Sequence, residues 1–143
     1  MALELILNIT ANMLGAIAII LSTWAFMVSK RDAAYGDLDG IFYDSVLAVG
    51  IEKPRFRNPK YTSDYYKFFD DEDERIAYET YAFTCMGFCE TVVDRASKDK
   101  AMQETWMPAV EVEYRLHKNW MNNPENHYKF KGKFRNLLNE RFG

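Results

Sequence analysis

The side chains best suited to chemistry in this chain are two thiols and two imidazoles. Cys85 and Cys89 stand four residues apart in TYAFTCMGFCETVV, and His117 and His127 are the two histidines. Thiolate sulfur and imidazole nitrogen are common zinc ligands, and four of them would complete a tetrahedral shell. The spacing argues otherwise, because structural zinc sites draw on two tight ligand pairs and His117 with His127 is not one. Two reduced cysteines one helical turn apart are expected to fill a core. A disulfide between them is not expected, since an i, i+4 helix pair has poor geometry for it. His117 falls on an apolar stripe and reads as a hydrogen-bonded core histidine.

The remaining motifs are quickly weighed. The run FDDEDE lacks the spaced aspartates, the glycine and the distant glutamate of a calcium loop, and reads as the solvated first turn of a helix. The sequence holds no phosphate loop, no dinucleotide glycine pattern, no nucleophile elbow and no paired Glu-x-x-His sites. No catalytic residue, metal ligand or cofactor is assigned, and the expected protein is not an enzyme.

The elements that carry these residues follow from length and patterning. At 143 residues the chain is one domain, or a small domain with an appendage. A net charge of -3 and a pI near 5.4 exclude a general nucleic-acid binder, which needs a strongly basic face. With 48% apolar and 15% aromatic residues there is no compositional case for disorder.

The apolar residues are unevenly placed. The 20 residues from Ile9 to Val28 carry no charge; as a helix they would rise about 30 Å, enough to cross a bilayer core. A secretory signal needs positive charge ahead of its apolar run, whereas here the basic pair Lys30 and Arg31 follows it. That order predicts a retained single-pass transmembrane anchor over residues 1–31. The positive-inside rule then places Lys30 and Arg31, and residues 32–143 after them, on the cytoplasmic side of the cell's inner membrane, with the amino terminus outside.

One stripe of the anchor is small or polar: Glu4, Asn8, Ala11, Gly15, Ala18, Ser22, Ala25 and Ser29, with Asn12 beside it. In lipid, helices associate by close backbone approach and by hydrogen bonds from residues such as Asn and Ser, because no hydrophobic force drives them together. Asn8, Ala11, Asn12, Gly15, Ala18, Ser22 and Ala25 are therefore the expected packing surface for another integral membrane subunit, or for a second copy of the chain. Trp24 reads as an interface anchor.

The rest reads as an all-α cytoplasmic domain of four or five helices. The first is expected to start near Asp37 and to turn Leu38, Ile41, Phe42, Ser45, Val46 and Val49 inward until Gly50 and Pro54 stop it. A loop follows in KPRFRNPKYTSDYY, where Pro54 and Pro59 forbid a regular helix. The acidic run Asp70 to Glu74 opens the second helix, which runs to about Arg95 and is apolar on most faces. A third begins after Ser97 or Lys98; Pro108 either kinks it or starts a new one. Beyond it Met107, Val110, Tyr114, His117 and Met121 form a buried stripe. The last begins around Asn123 and Pro124 and turns Phe130, Phe134, Leu137, Leu138 and Phe142 inward, with Gly132 weakening its middle.

Charge is segregated. Nine acidic and two basic residues lie between Asp64 and Asp94, against seven basic and two acidic from Arg115 to Gly143. Either the two segments pair in the fold, or the basic stretch YKFKGKFR faces anionic lipid headgroups with its aromatics dipping in. Lys30, Arg31, Arg55, Arg57 and Lys60 add basic character near the membrane. The dense aromatics Tyr61, Tyr65, Tyr66, Phe68, Phe69, Tyr78 and Tyr81 fit a core more readily than a ligand pocket.

Taken together, the span ending in Lys30 and Arg31, the loop KPRFRNP, the helix ERIAYETYAFTCMGFCETVVD and the pattern EYRLHKNWMNN with its Phe-rich close resemble uncharacterised bacterial single-span membrane proteins with a small helical cytoplasmic domain. The resemblance implies that architecture and no reaction. The function expected is that of a non-catalytic accessory subunit in a larger membrane complex, engaging partners by protein–protein interaction; a respiratory or photosynthetic complex would suit it, but the sequence selects none. The alternative is a membrane-tethered sensor with an aromatic ligand pocket.

Overall fold

A computed structural model describes the backbone of residues 2–97 and 99–143, and the side chains of residue 10 and of residues 12–97 and 99–143. The architecture is all-α, with no strand among the described residues. The chain divides into two compact units, Met1–Asp37 and Leu38–Gly143.

The first unit is carried by α1, Ala2–Ile41. One helix is long and apolar enough to cross a membrane, and none of its apolar stretch is buried. Met13, Leu14, Ile17, Ile19, Ile20, Leu21, Trp24, Phe26 and Met27 are between 50% and 69% exposed. The core helix of a water-soluble bundle would hide most of them. The helix start expected near Asp37 is overturned, since Asp37 lies inside α1. No proline interrupts the ladder there, and Gly36 and Gly40 each cost only about 1 kcal/mol without breaking it.

The second unit begins with a distortion. Residues Phe42–Leu47 form a π-helical turn before α2, Ala48–Glu52. The wider turn shifts the register of the inward face: Leu38 and Val46 are fully buried while Ile41 is exposed. The segment read as a loop holds a 3-10 turn, Pro54–Arg57, and two single-turn helices, α3 (Pro59–Thr62) and α4 (Tyr65–Phe68). Pro54 and Pro59 each sit in a first turn, where no N–H is needed. Asn58 caps α3 by accepting from the Lys60 amide.

Two long helices make the centre. α5, Glu72–Ala96, starts where the acidic run predicts, with the Asp71 carboxylate accepting from the Glu74 amide. α6, Lys100–Met121, is capped by Asp99 in the same way and contains Pro108 without ending there. The expected stripe is in place, since Met107, Val110, Tyr114, His117 and Met121 are all buried. On α5, Ile76 and Phe83 remain exposed, so that helix is apolar on fewer sides than its composition suggests. Phe42, Phe88 and Trp106 pack as a triad with ring centroids 5.2–5.5 Å apart, tying the π-turn to α5 and α6.

The final helix begins later than expected. Asn123 caps a 3-10 segment, Pro124–Lys129, and α7 runs separately over Gly132–Phe142. Phe130, Phe134 and Leu138 are buried as expected, while Leu137 and Phe142 are half-buried.

Candidate functional site

The core between α5 and α6 is polar at one place, and Gly50 opens the way to it. Gly50 on α2 is buried, and a Cβ there would lie 2.2 Å from Cδ of Arg57 and 2.8 Å from Oη of Tyr81. The bare backbone lets the Arg57 stem pass over α2 and deliver its guanidinium between the long helices. There Nη2 donates to Oε1 of Glu113 at 2.6 Å, and Nη1 donates to Oε2 at 3.0 Å and to the Tyr81 hydroxyl at 2.9 Å. The Tyr81 hydroxyl in turn donates to the Val46 carbonyl at 2.9 Å, inside the π-turn.

Glu113 is buried and the Arg57 side chain is 21% exposed. The fork geometry makes this a bidentate ion pair, the strongest hydrogen-bonded form such a pair takes. Burial works against the Arg57 charge, but the bonds to Glu113 and Tyr81 outweigh it and hold the guanidinium above its ordinary range.

One turn along α6, His117 is fully buried beside Glu113, its Nε2 being 3.8 Å from Oε2. Its Nδ1 stands 3.2 Å from the Tyr78 hydroxyl, whereas Nε2 has no hydrogen-bond partner. Burial, aided by the Arg57 charge, pulls the imidazole down to about 3, so it is neutral at physiological pH. Burial pushes the Cys85 thiol well up, and the Glu113 charge pushes it further. Sγ of Cys85, a carboxylate oxygen of Glu113 and a ring nitrogen of His117 all lie within 4.8 Å of one another.

The structure thus unites Cys85 with His117 and leaves His127 half-buried elsewhere, near the Asn122 carbonyl. Cys89 is buried and free, as is Cys85. Sequence reasoning passed over Glu113 and read Arg57 as part of the basic surface near the membrane, a reading overturned by its guanidinium, which is turned inward onto Glu113 and Tyr81. Glu113 did carry a signal, because it falls on the same helical face as Val110, Tyr114 and His117, where a carboxylate is out of place. Nothing local marks Arg57.

On α1, the side chains of Asn12, Gly15, Ala18, Ser22 and Ala25 are exposed, as are Lys30 and Arg31. Asn8 and Ala11 lie outside the described side chains. Among the described side chains, none comes within 4 Å of where a Gly15 Cβ would sit. The Lys30 ammonium lies 4.9 Å from the Phe26 ring centroid.

The acidic and basic segments meet. Lys131 pairs with Asp94 through its ammonium, and its amide donates to Glu90 at 2.9 Å. Phe130 and Phe134 point into the core, so of the aromatics in YKFKGKFR only Tyr128 is exposed. Of the dense aromatics, Tyr65, Phe69, Tyr78 and Tyr81 are buried, with Phe69 stacked on Tyr78 at 4.7 Å, whereas Tyr61 and Phe68 are half-buried and Tyr66 is exposed. None of the described cavities is lined by them. A cavity of about 300 Å³ lies instead between the end of α5, the start of α6 and α7, over Met107 and Phe134. Compared with protein-family models, with curated proteins and with solved structures, the chain matches none.

Proposed function

We propose that the chain is a non-catalytic, single-pass accessory subunit of a larger membrane assembly. α1 lies in the bilayer with Lys30 and Arg31 at the cytoplasmic headgroups, and the helical unit from Leu38 onward braces cytoplasmic parts of the complex. The observation that carries this reading is the run of large apolar side chains from Met13 to Met27, each at least half exposed. Water would penalise that surface by about 25 cal/mol per Å², and hydrocarbon would not.

The docking surface is the stripe Asn12, Gly15, Ala18, Ser22 and Ala25, continued by Asn8 and Ala11. Its small side chains permit a second helix to approach closely, and Asn12 and Ser22 can donate across the contact. The test is extraction in mild detergent, native gel separation and mass spectrometry of whatever migrates with the chain. Partners in fixed ratio are expected, and Gly15→Leu with Ala18→Leu should release them. A chain that runs alone, and ignores both substitutions, would end this reading.

A further inference from the structure

We propose that Cys85, Glu113 and His117 form a buried site for a single zinc ion. Sulfur, carboxylate oxygen and imidazole nitrogen are the three protein donor types that zinc takes. All three side chains are buried, and they come from α5 and α6. Their donor atoms fall within 4.8 Å of one another. Around a tetrahedral zinc, bond lengths of about 2.0–2.3 Å put donors roughly 3.3–3.8 Å apart. Glu113 and His117 already stand at 3.8 Å, and no donor separation exceeds 4.8 Å, so binding needs a contraction of at most about 1.5 Å.

The second observation is independent of that clustering. Nε2 of His117 is buried with no hydrogen-bond partner, on a residue with no exposed surface. A buried ring nitrogen without a partner is costly, and a metal ion satisfies it. The other ring nitrogen faces the Tyr78 hydroxyl at 3.2 Å. A polar group on the far nitrogen is what fixes the tautomer and ring plane of metal-bound histidines.

The Arg57 fork does not exhaust Glu113. A carboxylate offers about four lone-pair sites, and Arg57 takes two of them, which orients the group as outer-sphere bonds orient ligating carboxylates. Zinc binding displaces the Cys85 proton to solvent, and the resulting thiolate forms the Zn–S bond.

The experiment uses the full chain in detergent, stripped with a chelator and then titrated with zinc and separately with cobalt(II). One equivalent of zinc is expected, with a rise in unfolding temperature, and cobalt is expected to give a thiolate-to-metal charge-transfer band. Cys85→Ala, checked for folding by circular dichroism, should abolish that band and weaken zinc binding by roughly 100-fold or more, beyond the 10- to 100-fold of an outer-sphere loss. If the variant does not fold, the cobalt spectrum of the unaltered chain decides alone. A folded chain that takes up no metal, or one that binds cobalt without a thiolate band, overturns the proposal.

Discussion

Arg57 and Glu113, 56 residues apart in sequence, meet as a two-pronged ion pair in the middle of the helical unit. One arrives from a 3-10 turn and the other from the centre of α6. Tyr81 extends the pair to the Val46 carbonyl, so one polar chain links the π-turn, the 3-10 turn, α5 and α6. Its value is best judged by what happens when one member is lost.

Glu113→Ala should destabilise the helical unit by about 3–5 kcal/mol, because it strands a guanidinium in the core. Replacing Arg57 and Glu113 together with Met and Leu should cost clearly less than the sum of the single changes. Urea unfolding followed by circular dichroism reads both effects. Additive losses would show that the two residues do not act as a pair.

Gly50→Ala should also destabilise, by about 1–3 kcal/mol, since the new methyl collides with Arg57 and Tyr81. The expected sign is informative, because alanine is the better helix former by up to about 1 kcal/mol. Gly36→Ala, with no neighbour within 4 Å of its Cβ position, should show that gain instead. Unfolding curves of the two variants, side by side, check the contrast.

In the metal-free chain, His117 makes stability fall in acid. Its folded value of about 3 lies below the ordinary imidazole value of 6.5, so between the two the unfolded chain binds a proton that the folded chain refuses. The contribution is fully present above pH 6.5 and declines as pH falls, by up to about 1.4 kcal/mol per pH unit. Arg57 and Glu113 face the imidazole alongside Tyr78, Tyr81 and Cys85. His117→Gln should flatten the slope between pH 6 and pH 4 at the cost of some overall stability. A slope identical to that of the unaltered chain would assign it to other groups.

The two thiols should report on opening of the core. Cys85 and Cys89 are free and fully buried, and burial raises both above their usual range. A maleimide is expected to leave the folded chain unlabelled over the time in which the urea-unfolded chain reacts completely. Rapid labelling under native conditions would mean that α5 and α6 part far more readily than their packing implies.

What the sequence determined by itself is local and periodic. The uncharged run ending in Lys30 and Arg31 specified a long apolar helix, because hydrophobicity and rise per residue need no knowledge of neighbours. Spacing of three and four also identified the buried stripe from Met107 to Met121, and the acidic run with Asp71 marked the start of α5. Tertiary structure decided the rest. The π-turn at Phe42–Leu47 exists where Tyr81 reaches the Val46 carbonyl and where Phe42 meets Phe88 and Trp106. Glu113 could be flagged as a misplaced carboxylate, but only the folded chain supplies Arg57 as its partner. Such pairings are set by long-range packing, which leaves no periodic trace in the chain.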